Sequence, residues 1–376
     1  MKANRPIRVA QMLARMNYGG IEMVVMNYYR HIDRTKIQFD FIVFEGSELP
    51  QRKEIEELGG RVFEVPSLKH PFAYSNAIFK LFEKNKYDIV HANMNTLSVF
   101  PLRMAKKAGV TVRICHNHST AGPGETKKNI LKNILRHFSK IYPTELFACS
   151  EYAGRWLYGD KASFRVIKNA IDIDRFRYNE KTRDDVRKKL GIGDRLVLGH
   201  VGRFEPQKNH DFLLDIFHSV HQINPNTVLL LIGEGELEDK MKKKAEELGL
   251  KDSVLFLGTM SDCAPYYQAM DAFVLPSLYE GLGMVAIEAQ AAGIPCFLSD
   301  RVPKEAAIID SCYTLSLEQS AKEWAELILE KTTENKCEDT QLKIREAGYD
   351  IETESEKLTD IYEKIVEESM DVRNYS

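Results

Sequence analysis

The sequence predicts an α/β protein built from two successive domains, each a parallel sheet with helices on both faces. Strand-like and helix-like segments alternate almost without interruption, the pattern of a parallel sheet with crossover helices. The alternation fills two halves of similar size, and 376 residues are enough for two separate cores. A hinge falls near Lys168–Phe176.

In the first half, short apolar runs bounded by polar and turn residues predict strands at Ile7–Leu13, Phe39–Phe44, Arg61–Val65, Ile89–His91, Val110–Cys115 and Leu146–Cys149. Helical periodicity fits Gly20–His31, Lys53–Leu58, Tyr74–Asn85, Thr96–Lys107 and Thr126–Tyr142. In the second half, strands fit Leu196–Val201, Thr227–Ile232, Val254–Gly258, Ala272–Leu275 and Cys296–Ser299. Helices there fit His210–Gln222, Leu237–Glu247, Ala264–Met270 and Met284–Ala292. A last helix, Glu352–Met370, places Leu358, Ile361, Tyr362, Ile365 and Val366 on one face, which fits against either domain.

Hydrophobic and charged fractions of 44% and 28% are those of a globular protein and argue against disorder or fibre. No apolar stretch approaches the roughly 18–20 residues of a membrane span, and the first residues lead into a strand rather than a signal-peptide core. Six widely spaced cysteines without a C-x-x-C predict thiols in a reducing cytoplasm. The net charge of −3 hides a polarity: residues 1–170 carry 27 Lys+Arg against 15 Asp+Glu, and the remainder is correspondingly acidic. A basic half points to a polyanionic partner. The aromatic-plus-basic modules of RNA binding are not visible, so an anionic membrane surface is preferred to nucleic acid.

The chemistry concentrates where strands end, the place an open α/β sheet collects ligands. Gly202 and Arg203 follow the strand Leu196–Val201, with Lys208 in the next loop. Arginine offers a planar fork to phosphate and lysine a mobile charge, although a salt-bridged loop explains Gly-Arg alone. Glu280, Gly281, Leu282, Gly283, Met284 and Glu288 follow the strand Ala272–Leu275. The glycines let backbone approach a ligand, and a helix start over Leu282–Val285 presents N–H groups to an anion. Two cations near a helix start suit a diphosphate, and two carboxylates suit sugar hydroxyls; the plain alternative is a pair of solvated glutamates. In the first half, Asn17-Tyr18-Gly19-Gly20-Ile21-Glu22 is a second strand–glycine–helix turn, read as anion-facing or as a simple tight turn.

His116 and His118 are expected at the end of the strand Val110–Cys115. They suit contact with a substrate hydroxyl or transition-state stabilisation; a structural role and a His-x-His metal pair are the alternatives. Thr126–Tyr142 has an apolar face of Ile130, Leu131, Ile134, Leu135, Phe138 and Ile141, with Lys127, Lys128, Lys132, Arg136 and Lys140 elsewhere around it. It reads either as an interfacial membrane helix or as a core-facing helix with a solvated basic face. Gly233-x-Gly235 lacks the third glycine of a dinucleotide fingerprint, and Gly122–Lys127 is not a P-loop. Asp172-x-Asp174 is a possible D-x-D metal pair, but it lies in the hinge.

Together these residues resemble the retaining glycosyltransferases of family 4, in the branch that builds capsular and exopolysaccharides. The resemblance runs over nearly the whole chain. It is carried by Met16–Glu22, Tyr29–Asp33 and Phe39–Phe41, by the linker Val166–Asp172, by Arg203, Lys208, Glu280 and Glu288, and by the backbone Leu282–Met284. Alanine at 170 departs mildly from the family's linker, and Cys115–His118 resembles its acceptor-side histidine region. The resemblance implies the GT-B fold: two facing Rossmann-like domains with a cleft between them, and a C-terminal helix crossing back to the first. The expected boundaries are 1–170 for acceptor binding, 171–350 for the nucleotide-sugar, and 351–376 for the returning helix. It implies catalysis through His116, His118, Arg203, Lys208 and Glu280. Donor binding falls to Gly19, Gly20, Gly202, Arg203, Lys208, Glu280, Leu282, Gly283, Met284 and Glu288. Transfer would retain the anomeric configuration and need neither metal nor cofactor.

The expected enzyme is a hexosyltransferase on the inner face of the cell membrane, using a nucleotide-diphospho-sugar, UDP-linked, as donor. Its acceptor is a lipid-linked saccharide; nucleic acid is not an expected partner. An epimerase of the same fold, acting on donor alone, and a non-catalytic sugar-binding protein are the competing classes.

Overall fold

The computed structural model describes residues 5–17, 20–118, 126–334 and 340–374. The chain divides into two compact units, one of Met1–Ile171 with Asp350–Ser376 and one of Asp172–Tyr349.

In the first unit the order is β1 (Ile7–Met12), α1 (Gly20–His31), β2 (Ile37–Phe44), α2 (Arg52–Glu57), β3 (Arg61–Val65), α3 (Pro71–Asn85), β4 (Ile89–Ala92), α4 (Val99–Lys107), β5 (Val112–Asn117), α5 (Thr126–Arg136), β6 (Glu145–Ala148), α6 (Glu151–Tyr158) and β7 (Arg165–Val166). A 3₁₀ turn, Asn95–Ser98, precedes α4. The sheet runs β3-β2-β1-β4-β5-β6-β7, and its strands pair in parallel. Parallel strands covered on both faces read as continuous apolar runs, which is why β2 is buried along nearly its whole length.

One face of this sheet packs on α1 and on the last helix, α14 (Ile351–Asn374). Leu358, Tyr362, Ile365 and Val366 are buried in that core, at about 1.5–3 kcal/mol for each fully buried apolar side chain. The amphipathic face legible in the sequence thus closes the core of the first unit. The opposite face is covered by α3, α4 and α6. Helix α6 starts at Ser150, whose hydroxyl accepts from the N–H of Ala153 at 3.1 Å, an N-cap that holds the chain just after β6.

The second unit contains α7 (Glu180–Leu190), β8 (Leu196–Val201), α8 (His210–Ile223), β9 (Thr227–Ile232), α9 (Glu238–Glu247), β10 (Val254–Phe256), α10 (Ala264–Ala269), β11 (Ala272–Leu275), α11 (Met284–Ala291), β12 (Cys296–Ser299), β13 (Cys312–Leu315), α12 (Ala321–Glu334) and α13 (Gln341–Glu346). Its parallel sheet runs β10-β9-β8-β11-β12-β13. Both sheets reverse direction of build-out once, between β1 and β4 in the first and between β8 and β11 in the second. Such switch points open a crevice at the strands' carboxyl ends.

Several expectations need correction. The strand predicted at Val110–Cys115 is Val112–Asn117, so His116 lies inside β5 and only His118 follows it. Val110 instead closes the turn after α4, its N–H bonded to Ala105. The helix predicted to Tyr142 ends at Arg136 and continues as turns. Helices α6, α7, α12 and α13 and strands β7 and β13 were not expected. Among the described residues no helix is long and apolar enough to cross a membrane.

Candidate active site

The switch point of the second unit brings together the loops after β8 and β11. Leu278 N–H donates to the carbonyl of Gln207 (2.8 Å), and the side chain of Asn209 donates to that of Pro276 (3.1 Å). These bonds carry Lys208 to Glu280, 72 residues later, where Nζ and Oε1 meet at 2.7 Å. Glu280 also accepts from Ser277 Oγ at 2.7 Å and Gln207 Nε2 at 3.2 Å. Both members of the ion pair are largely buried, so the carboxylate is held by three donors rather than by solvent. A charge buried with such partners is fixed in place, and losing one partner is costly.

Glycine shapes this crevice at two kinds of position. A Cβ at Gly202 would lie 3.0 Å from His200 Nε2 and from the Lys208 stem, so the glycine lets that stem cross the strand end. Gly233 and Gly235, an incomplete fingerprint in the sequence, have a packing role. A Cβ there would meet the backbone of Gly202 at 2.2 Å and of Phe204 at 2.6 Å, and Gly233 has φ +135°.

Gly283, with φ +87°, caps α11. The N–H groups of Gly283, Met284 and Val285 are those that a helix start leaves without intrahelical acceptors. Leu282 is buried beside them. Glu288, one turn into α11, accepts from Tyr267 Oη at 2.8 Å. Burial raises the Glu288 carboxyl, while the Tyr267 hydrogen bond opposes the rise. Arg203 follows β8 as expected but stands apart from the buried pair: its side chain is 71% exposed and pairs with Glu205 at 2.7 Å.

Behind Lys208 lie two buried histidines that the sequence reading did not single out. His200 donates through Nδ1 to the carbonyl of Val274 (2.8 Å), and His210 stacks on Phe204 at 4.1 Å. Burial, with Lys208 nearby, pushes His210 down to about 4 and holds His200 well below its usual range.

The first unit places a neutral polar cluster at its own switch point. His91 on β4 bonds His116 on β5 (Nε2 to Nδ1, 2.9 Å) and Tyr362 on α14 (2.6 Å). His118 Nε2 lies 3.0 Å from Asn93 Oδ1, and Asn93 donates to Gln11 at 2.8 Å. The rings of His116 and His118 lie with centroids 3.9 Å apart and planes tilted by 34°. Burial pushes His91 down to about 3 and His118 to about 4, and keeps His116 neutral as well. Gln11, His91 and Asn93 are polar residues inside or just after otherwise apolar buried strands, and that mismatch was the signal available in the sequence.

Gly20 begins α1, and a Cβ there would meet nothing within 4 Å; Gly19 lies outside the described residues. On α5 and the turns after it, Ile130, Leu131, Ile134, Phe138 and Ile141 are 45–58% exposed, which removes the core-facing reading of this segment. Arg136 lies over the Trp156 ring and Lys140 is exposed. Lys132 is half-buried, and the side chains of Lys127 and Lys128 lie outside the described residues.

Known proteins decide the family. The model "Glycosyltransferase Family 4" matches residues 18–175, and "Glycosyl transferases group 1" matches residues 182–350. A putative glycosyltransferase EpsF of Bacillus subtilis is 34% identical, over 94% of this chain and 96% of its own. The chain belongs to glycosyltransferase family 4. Other relatives of this glycosyltransferase include an Escherichia coli enzyme named UDP-Gal:alpha-D-GlcNAc-diphosphoundecaprenol alpha-1,3-galactosyltransferase. It is 27% identical over 78% of this chain and 79% of its own. The capsular polysaccharide biosynthesis glycosyltransferase CapH of Staphylococcus aureus is 24% identical over 95% and 98%. Among solved structures, Anabaena HepE in complex with UDP and glucose superposes with a TM-score of 0.80 at 19% identity, covering 95% of this chain and all of that one. That likeness supports the GT-B fold.

Proposed function

We propose that this glycosyltransferase moves a sugar, with retained anomeric configuration, from a UDP-sugar to a lipid-linked saccharide in polysaccharide assembly. The observation that carries the reading is the buried Lys208–Glu280 pair across the second unit's switch point, next to the Gly283-capped start of α11. In this reading Lys208 and the α11 N–H groups hold the diphosphate, and Arg203 swings from Glu205 to join them. Charge growing on the leaving phosphate is then met by fixed donors, the kind of preorganisation a metal otherwise supplies. Glu280, held by three donors, takes hydroxyls of the donor sugar; Glu288, beside Tyr267, takes those of ribose. Such a carboxylate, locked in an ion pair, suits sugar recognition better than nucleophilic attack. The activities for which the E. coli and S. aureus relatives are named support a diphosphoundecaprenol-type acceptor and a capsule-like product.

The acceptor falls to His116 and His118 on the first unit. The exposed apolar residues of α5 and its following turns, with Lys132, Arg136 and Lys140, would lie on an anionic bilayer, where a lipid-linked acceptor is anchored. Lys208→Ala and Glu280→Ala test the donor site: each should abolish transfer while circular dichroism shows an intact fold. Full activity in either variant removes the assignment. Chelation by EDTA should leave the rate unchanged, and incubation with donor alone should yield no epimer.

A further inference from the structure

The buried polar groups beneath α14 form a chain whose hydrogen-bond direction can be followed atom by atom. The Asn93 NH₂ donates to Gln11 Oε1 at 2.8 Å and also points at the backbone carbonyl of His91 at 3.5 Å. A carbonyl only accepts, so this fixes the amide and turns Asn93 Oδ1 toward His118 Nε2. Nε2 of His118 therefore carries its hydrogen. Gln11, with its oxygen engaged by Asn93, directs its NH₂ to the Tyr362 hydroxyl at 3.4 Å. A buried phenol O–H is matched when Tyr362 donates to His91 Nδ1 at 2.6 Å, the arrangement that leaves the His91 hydrogen on Nε2. That hydrogen goes to His116 Nδ1 at 2.9 Å, so His116 in turn is protonated at Nε2.

Two atoms remain at the end of this chain. His116 Nε2 and His118 Nδ1 are both buried without a hydrogen bond of good geometry, and Asn169, whose Oδ1 is likewise unmatched, interacts with His118. In this arrangement one is an N–H and the other a lone pair, on rings tilted by 34° with centroids 3.9 Å apart. We propose that Tyr362 and His91 are positioning residues: they hold His116 as a hydrogen-bond donor while Asn93 holds His118 as an acceptor, so the pair offers a saccharide hydroxyl one donor and one acceptor. The last helix thereby reaches the acceptor through a relay that spans 271 residues of sequence. The inference rests on the acceptor-site reading above and adds the residues that set its polarity. An ordered donor and acceptor aimed at one hydroxyl discriminates against groups lacking it, because the buried ring nitrogens are then left unmatched.

The test combines spectroscopy with kinetics. In protein labelled with ¹⁵N-histidine, long-range ¹H–¹⁵N spectra should show His91, His116 and His118 all as Nε2–H tautomers. A His116 protonated at Nδ1 overturns the relay. Tyr362→Phe keeps the ring but removes the hydroxyl, and should let the His91–His116 pair reverse, with an Nδ1–H signal appearing on His116. Its kcat should fall at least about tenfold with KM for the nucleotide-sugar unchanged. His91→Gln, which supplies an amide N–H in place of Nε2, should recover activity that His91→Leu loses. Unchanged kcat in Tyr362→Phe, or equal impairment in the two His91 variants, overturns the positioning role. Full activity in His118→Ala instead defeats the acceptor-site reading, independently of what the tautomers show.

Discussion

The two switch points of this molecule are built from opposite materials. In the second unit a crevice is fixed by charge, with Lys208 against Glu280 and a helix start beside them. In the first unit the equivalent position holds neutral imidazoles, amides and a phenol in a hydrogen-bonded chain. The same strand topology therefore supports two kinds of recognition. A charged crevice suits a diphosphate, whose anionic oxygens gain most from fixed cations. A neutral one suits a hydroxyl, which needs a donor and an acceptor in register. It also avoids the cost of keeping an unpaired charge away from water.

The largest effects should separate the two crevices kinetically. Lys208→Ala removes the cation that Glu280 depends on, and should cut transfer by about 10³-fold, the upper end of the range for losing a fixed transition-state donor. Nucleotide-sugar binding measured by calorimetry should weaken with it. His118→Ala should lower kcat by about 10²-fold, the low end for a positioned acid–base group, and leave nucleotide-sugar binding intact. The contrast breaks down if both variants change donor binding alike.

How far the sequence reveals each crevice follows the same division. Lys208, Glu280, Gly283 and Glu288 sit in short glycine-marked loops after apolar strands, so chemistry and position are both local. The first crevice draws Gln11, His91 and His116 from three strands and Tyr362 from the far end of the chain. Only His116 and His118 stand out by residue type. Arg203 shows the limit of reading by type, since its partner in the structure is Glu205 two residues on. Helix α7 escapes for a physical reason: it has a good cap at Asn179 and a left-handed Gly191, but buries only Val186 and Arg187 and so lacks an apolar stripe. The glycines 233 and 235 carry a motif-like spacing whose cause, backbone against backbone, appears only once β8 and β9 are paired.

A smaller effect concerns the bilayer. Reversing Lys128, Lys132 and Arg136 to Glu should release the protein from vesicles containing anionic lipid by roughly a hundredfold or more, at about 1 kcal/mol for each cation removed. Unchanged co-sedimentation leaves the exposed side chains of α5 without that role. The second unit gives the control, because its Lys208→Ala variant should sediment like wild type.

Acid should then sharpen the contrast between the units. Each buried histidine is neutral in the fold, with His91 pushed down to about 3 and His118 and His210 to about 4. In the unfolded chain each titrates near 6.5, so below that pH the unfolded state binds more protons and stability falls. The loss is at most about 1.4 kcal/mol per pH unit for each histidine until the folded pKa is reached. The first unit holds three such groups, His91, His116 and His118; the second holds His200 and His210, with His221 lowered too but only part-buried. Hydrogen exchange between pH 6.5 and 4.5 should therefore show the first unit losing protection more steeply. Equal slopes would mean that its histidines are not kept neutral by the fold.

The smallest stability effect expected is also the one that best isolates ligand chemistry. Arg203 is mostly exposed, and its pair with Glu205 is a surface ion pair of the kind worth between zero and about 1 kcal/mol. Arg203→Ala should leave the melting temperature nearly unchanged. If the guanidinium turns to the diphosphate when donor binds, the same variant should raise KM for the nucleotide-sugar about tenfold, near 1.4 kcal/mol. Arg203→Lys should recover only part of this, since a point charge replaces a planar fork. A variant with unchanged KM would keep Arg203 on the surface with Glu205. Recognition of the diphosphate would then rest on Lys208 and the start of α11 alone, and the charged crevice would be a narrower device than its sequence implies.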